Sequence, residues 1–337
     1  MAEMNRRFLL RERPTDRIGP ETFELVEEEV PDIGDGEALV RTEWVSLDPT
    51  NRTWIDETPT YLPPVAIGEV MRALGLARVV KSNHPGYEEG KLMQGLVGWQ
   101  EYAVVSDSAP LLPTPDLDVA PSSFLGVLGM TGLTAWVGIT QIGKPQPGET
   151  VVVSAAAGAV GSVAGQLAKA KGARVVGIAG GPDKTAMLTE ELGFDAAVDY
   201  KAKDWAEQLR AATPDGIDVD FENVGGDIMD AVFTRLNLRS RVALCGLISG
   251  YNEEGAPAGP RAFGNLLIKR SLLQGFIVLD HFHQAPEAVA EISALMAEGR
   301  LKPLETVVEG FEQLPEAINM LFDGANTGKL VLRVDGN

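Results

Sequence analysis

Two rhythms of apolar and polar positions divide the chain. From Glu37 to Leu47 the two kinds alternate at the period of a half-buried strand, and short segments such as Gln100–Val105 lie between turns rich in Pro, Gly and Asp. That is the pattern of a mostly β domain. Pro110, Pro113, Pro115 and Pro121 then cluster ahead of Ser122–Ile142, which reads as a helical segment leading into a second region, with the seam near residue 125. Beyond the seam, apolar runs take turns with helical stretches. Strands are predicted over 150–155, 174–178, about 196–199, 217–221 and 240–246, and helices over 161–171, 183–192, 204–212 and 226–235. This alternation lays down a parallel sheet through crossovers. A last strand over Leu330–Val334 follows the Gly324–Gly328 turn and is placed to return to the first domain. The expected organisation is α/β, with one domain over 1–125 completed by about 310–337 and a second over 126–309. No internal repeat is present.

The run Val151-Val-Val-Ser-Ala-Ala-Ala-Gly-Ala-Val-Gly-Ser-Val-Ala-Gly165 is a buried strand passing through a small-residue turn into a helix. That geometry presents backbone N–H groups to a pyrophosphate. Where the common fingerprint has three glycines this chain has Ala156, Gly158 and Gly161, with Ala159 and Val160 between the last two. A second buried strand, Ala173–Ala179, follows one crossover helix later, as a βαβ unit requires. In an NAD site an acidic side chain about 20 residues past the glycines holds the ribose. Here the strand ends in Gly180, Gly181 and Pro182 with Asp183 and Lys184 next, and Lys184 is suited to neutralising a 2′-phosphate, which favours NADPH over NADH. The bland alternatives are a flavodoxin-like phosphate site and a solvated surface lysine.

Composition narrows the field. A chain of 337 residues, 45% hydrophobic, with 37 glycines and 21 prolines suits a turn-rich α/β enzyme. The formal charge of -19 argues against nucleic acid as the main partner. No stretch approaches 18 uninterrupted apolar residues. With no long apolar segment at the start either, no membrane association and a cytoplasmic location are expected. The single cysteine, Cys245, cannot form an internal disulfide and sits in an apolar run as strand packing. His281 and His283 flank Phe282 on what reads as an extended segment, but no further metal ligand is local to them in sequence, so no metal is expected. No Gly-x-Ser-x-Gly elbow occurs.

Tyr251 stands where the last parallel strand runs into the expected cofactor crevice, and its phenol is suited to hold a ribose or relay a proton; the alternative is an aromatic lid over that loop. Tyr200 closes the strand at 196–199 near the adenine side, either stacking or bonding to a phosphate there or packing on a helix edge. Asn223, ahead of Gly225 and Gly226, and Asn326, in Gly324-Ala-Asn-Thr-Gly-Lys329, carry amides suited to a cofactor, although Asn and Gly are also what a plain turn needs.

An ordered set of segments resembles the zinc-free medium-chain dehydrogenase/reductase superfamily, in its prostaglandin reductase, leukotriene B4 12-hydroxydehydrogenase and bacterial enone reductase group. The set comprises Ser46-Leu-Asp-Pro49 with Arg52, Gly68-Glu-Val-Met-Arg72, Gly98-Trp-Gln-Glu-Tyr102, Gly129-Met-Thr-Gly-Leu-Thr-Ala135, Ala155-Ala-Ala-Gly-Ala-Val-Gly-Ser162, Phe221-Glu-Asn-Val-Gly-Gly226, Cys245-Gly-Leu-Ile-Ser-Gly-Tyr-Asn252 and Asn326-Thr-Gly-Lys329. The resemblance implies a GroES-like substrate domain, a Rossmann domain binding NADPH, and a homodimer. It implies 2′-phosphate contacts at Lys184 and Tyr200, cofactor contacts at Asn223 and Asn326, a cleft lined by Thr131 and Thr134, and Tyr251 beside the nicotinamide ribose. It places Arg52 and Met71 toward the substrate. The chain departs from the group at Asp48-Pro-Thr-Asn-Arg52 and at Ala73-Leu74, which argues against a prostaglandin or other long lipid as substrate.

The implied reaction is NADPH-dependent reduction of the carbon–carbon double bond of an α,β-unsaturated ketone or aldehyde, with hydride going to the β-carbon and a proton to the α-carbon. Quinone reduction by a related reductase is the enzymatic alternative, and a non-catalytic NADPH-binding structural protein is the alternative from another class.

Overall fold

The computed structural model describes residues 3–57, 60–252 and 259–335; Met1 and Ala2, on which the reading of the amino terminus partly rests, lie outside them. Along the first region run β1 (Met4–Leu10), β2 (Phe23–Glu29), β3 (Ala38–Leu47), the short helix α1 (Thr50–Thr53), β4 (Leu74–Ser82), β5 (Leu92–Leu96), β6 (Tyr102–Val105) and β7 (Leu112–Pro113). The middle carries α2 (Met130–Val137), β8 (Thr150–Val153), α3 (Ala159–Ala170), β9 (Arg174–Ala179), α4 (Pro182–Glu190), β10 (Ala196–Asp199), α5 (Trp205–Ala212), β11 (Ile217–Glu222), α6 (Gly226–Phe233), β12 (Leu236–Leu244), α7 (Gly264–Lys269), β13 (Leu272–Gly275) and α8 (Ala285–Ala297). The chain closes with β14 (Glu305–Glu309), α9 (Leu314–Ala317), α10 (Met320–Asp323) and β15 (Lys329–Arg333).

These elements make two units. The first contains residues up to 125, 306–325 and from 330 on; the second contains 126–305 and 326–329. The first is a mostly β, GroES-like domain. Its main sheet runs β14-β15-β3-β4-β5-β7, with β6 also on β3. The ten-residue strand β3 is shared along one side: Ala38–Arg41 pair with β6, and Trp44–Leu47 pair antiparallel with β15, so the returning C-terminal strand completes the sheet. A core forms around Phe8, Phe23, Trp99 and Phe311, with the Phe8 and Phe311 rings stacked at 5.2 Å.

The second unit is a Rossmann domain. Its six parallel strands lie in the order β10-β9-β8-β11-β12-β13. In that order the winding reverses between β8 and β11, and ligands of open α/β sheets bind at the carboxyl ends of such a pair. The residues Val151, Val152 and Val153 are fully buried, which is why the strand reads as a continuous apolar run and not as an alternation.

Two expectations from sequence are corrected. Ser122–Ile142 is not one helix: a 3-10 turn at Pro121–Phe124 precedes α2, and π-helical turns follow at Gly138–Gly143. Apolar content made the stretch look uniform, but Gly129 is extended and the Gly132 N–H reaches back to the Gly126 carbonyl at 3.1 Å, so the chain folds on itself before α2 settles. Likewise, His281 and His283 lie in a 3-10 segment, Val278–Gln284, and not in an extended one.

Candidate functional site

The site is built at the carboxyl ends of β8, β9 and β11 in the second unit. After β8, residues 154–157 turn and α3 begins behind Gly158. Its first helical hydrogen bond runs from Ser162 N–H to the Gly158 carbonyl at 3.0 Å, so the N–H groups of Ala159, Val160 and Gly161 have no acceptor within the helix. Together with the helix dipole, these donors suit an anion. A Cβ on Gly161 would collide with the Ala155 carbonyl, so glycine is required where helix and turn meet. The alanine at the first fingerprint position has a physical reason. The left-handed residue of the turn is Ala155, with φ 48°, while Ala156 is fully buried with its Cβ over the bare backbone of Gly177. The methyl group occupies space that β9 leaves open.

At the end of β11 a polar network holds Asn223. Its backbone N–H donates to Ser154 Oγ and its side-chain Nδ2 to the Ser154 carbonyl, both at 2.7 Å. Ser154 Oγ in turn donates to Glu222 Oε1 at 2.9 Å, which also accepts the Val224 and Gly225 N–H groups at 2.5 and 2.8 Å. The turn that presents the Asn223 amide is thus fixed by a fully buried carboxylate. Burial raises the pKa of Glu222, and the backbone donors and Ser154 pull it back down.

Tyr251 ends a 3-10 turn at Ile248–Gly250. Its hydroxyl accepts the Leu247 N–H at 3.3 Å, and burial raises its pKa, so the phenol keeps its proton as a donor. Neighbouring Cys245 has its thiol pushed up to about 12 by burial and by the charge of Glu222, which leaves it no thiolate chemistry.

On the other side of the crevice, Lys184 in α4 donates to the Asn326 carbonyl at 2.6 Å, and the Asn326 amide donates to the Gly328 carbonyl at 3.0 Å. Gly328 N–H reaches the Ala157 carbonyl at 2.7 Å, so the Asn326–Lys329 segment is stitched to the phosphate turn. The Lys184 pKa is lowered by burial first and by Lys201 second. Tyr200 is exposed at the end of β10. Thr131 and Thr134 direct their hydroxyl protons at the carbonyls of Gly126 and Met130, at 2.9 and 2.8 Å, leaving only oxygen lone pairs outward.

The two substrate-region candidates belong to the first unit, and both are buried. Arg52 donates to the carbonyls of Asp16 and Pro14 at 3.3 and 3.1 Å and pairs with Asp56, and Met71 is fully enclosed in the aromatic core. In this structure they brace the fold and present no open surface. Ser154, Glu222, Asp199 and Lys201 escaped the sequence reading; the one available signal was that each borders a strand end.

Among the described residues no group of three or more His, Cys, Asp and Glu side chains is arranged to hold a metal ion, and no helix is long and apolar enough to cross a membrane.

Comparison with known proteins agrees with this geometry. Residues 6–112 match the family described as the N-terminal domain of oxidoreductase, and residues 159–294 the one described as zinc-binding dehydrogenase. The chain is 44% identical to the NADPH-dependent curcumin reductase of Escherichia coli, over 99% of this chain and 98% of that protein. It is 38% identical to a 2-alkenal reductase (NADP(+)-dependent) of Nicotiana tabacum, over 89% and 88%. The crystal structure of CurA from Vibrio vulnificus in complex with NADPH superposes with a TM-score of 0.93 at 41% identity, covering 98% of this chain and all of that one. The chain belongs to the zinc-independent medium-chain dehydrogenase/reductases, in the group of prostaglandin and enone reductases.

Proposed function

We propose that the crevice at the ends of β8, β9 and β11 binds NADPH through the Ala156–Gly161 turn, Lys184, Tyr200, Asn223, Tyr251 and Asn326, with Thr131 and Thr134 along its wall. The protein is an NADPH-dependent reductase of activated carbon–carbon double bonds in enones and enals. The observation that carries the cofactor reading is the set of N–H groups at the start of α3 that have no acceptor within the helix, with Lys184 tied through the Asn326–Gly328 segment to the same turn. When bound, NADPH supplies the hydride that adds to the β-carbon.

The chain's own residues position and polarise. Asn223, locked by Ser154 and Glu222, offers its amide at the strand end. Tyr251 holds a phenolic proton in a half-buried setting, where a hydrogen bond toward a ribose hydroxyl or a developing enolate is stronger than in water. Its role is positioning first; the α-carbon proton comes through it or from solvent. In the domain assignment, 1–125 with about 310–337 handle substrate and 126–309 bind the cofactor.

A homodimer in the cytoplasm, without nucleic-acid or membrane partners, completes the reading. The edge strand β13, the neighbouring α7 and the residue that leads into it expose Leu272, Ile268, Phe263 and Leu267, the last 83% exposed. Such an apolar edge calls for a cover. Sedimentation of the wild type and of Ile268→Asp tests this: a dimer is expected for the first and a monomer for the second.

Function is tested by NADPH absorbance with a short enal, an aromatic enone, a 15-oxo-prostaglandin and a quinone, each repeated with NADH and followed by product identification. Saturated ketones or aldehydes are expected, with NADPH preferred. Hydroquinone as the sole product, or tight NADPH binding without turnover, overturns the assignment.

A further inference from the structure

Lys201 follows Tyr200 directly beyond β10. A Cβ placed on Gly180 would lie 2.9 Å from both Lys201 Cε and Tyr200 Cε1, so the lysine stem and the phenol ring lie together over bare backbone at the carboxyl end of β9. Asp199 sets this corner. Its Oδ1 accepts the Gly181 N–H at 2.7 Å and the Lys201 N–H at 3.0 Å, fixing both the start of α4 and the point from which Lys201 departs.

Two cationic side chains come together at this corner. Lys184, at the start of α4, is close enough to Lys201 that the two cations repel, and this adds to the lowering of the Lys184 pKa. Among the described residues no ion pair engages Lys201, in a chain with 48 acidic residues against 29 basic ones. Asp199, the nearest carboxylate in sequence, points Oδ1 at backbone donors and not at a lysine ammonium. Its hydrogen bonds assign it to shaping the turn. Two lysines and a phenol around an uncovered backbone corner fit a dianion, and a phosphate on the adenosine ribose is the dianion that distinguishes NADPH from NADH.

We propose that Lys201 is a second cationic contact to the 2′-phosphate, positioned by Asp199, and that it determines selectivity for NADPH over NADH. The inference rests on the NADPH reading above.

The test compares wild type, Lys201→Ala, Lys201→Arg, Asp199→Ala and Asp199→Asn. Readouts are kcat/KM with NADPH and with NADH, and inhibition by 2′,5′-ADP and by 5′-AMP. Lys201→Ala should weaken 2′,5′-ADP and lower kcat/KM for NADPH by about 10-fold, through KM, as expected for one lost charge-assisted contact. NADH and 5′-AMP should stay within about twofold, and Lys201→Arg should restore most of the loss. Asp199→Ala should reproduce the loss of selectivity, while Asp199→Asn, which keeps a side-chain oxygen to accept the two N–H groups, should not. Equal losses with both cofactors, or unchanged 2′,5′-ADP inhibition in Lys201→Ala, overturn the assignment of Lys201. Wild type that binds 2′,5′-ADP no more tightly than 5′-AMP overturns the NADPH reading itself, and this proposal with it.

Discussion

Asp220 gives the sharpest physical test of the second unit. It lies in β11, fully buried, opposite Val152 on one neighbouring strand and Val242 on the other, and neither carboxyl oxygen has a hydrogen-bond partner. Burial, with the charge of Glu222 adding to it, holds its pKa well above the usual carboxylate range, so the group is a neutral acid in the folded protein. In the unfolded chain it ionises near pH 3.9. Because the folded-state pKa is the higher one, the folded state binds the extra proton. The associated stability is fully present below about pH 4 and is lost as pH rises toward the folded pKa, at about 1.4 kcal/mol per pH unit. Asp220→Asn removes this titration. Its stability relative to wild type should therefore improve as pH rises from 5 to 7, by at most about 1.4 kcal/mol per pH unit. Asp220→Val also removes a buried unpaired polar group, worth roughly 1–3 kcal/mol, and should be the more stable variant at both pH values. Urea unfolding of the cofactor-free protein at pH 5, 6 and 7 measures the differences, with amide exchange of β11 peptides reporting the second unit alone. A pH slope that is the same in wild type and Asp220→Asn would place the titration elsewhere, with Glu222 the first suspect, and refute the reasoning.

Three further outcomes follow from single contacts. Gly161→Ala forces a methyl group into the Ala155 carbonyl; a loss of about 1–3 kcal/mol from overpacking and a raised KM for NADPH are expected, by thermal shift and steady-state kinetics. Tyr251→Phe keeps the ring and deletes the hydroxyl, so kcat should fall by about 10-fold or more while KM for NADPH changes by less than about threefold; an unchanged kcat would reduce the tyrosine to a packing residue. Trp136→Phe removes the indole donor that meets Glu291 Oε2 at 2.6 Å. Lys171 still pairs with that carboxylate at 3.3 Å, so the cost should be near 1–2 kcal/mol in urea unfolding and nothing in kcat.

How much of this was readable in the sequence depended on whether the signal was local. The crossover rhythm and the run Val151–Gly165 sit within one βαβ unit, so periodicity and turn chemistry were sufficient, and even the odd alanine at 156 did not mislead, because the strained residue is its neighbour Ala155. Asn223, Tyr251 and Asn326 each follow a strand end or a Gly-rich turn and could be marked for that reason. What escaped was decided by which strands became neighbours. Ser154 and Glu222 are 68 residues apart and meet only because β11 lies beside β8 in the sheet, an adjacency that sequence order does not display. Asp199 reaches Gly181 across the β9–β10 pairing in the same way. In the first unit the difficulty ran the other way. Arg52 and Met71 carried side chains that suit a substrate, but Arg52 is taken up by carbonyls of Pro14 and Asp16, and Met71 by an aromatic core whose members come from both ends of the chain. A polar or sulfur-bearing side chain beside a motif is therefore weak evidence of contact with a ligand until its own hydrogen-bonding partners are known. By that standard Lys201, which no motif marked and whose ammonium no carboxylate among the described residues engages, has a stronger claim to a phosphate than Arg52 has to a substrate.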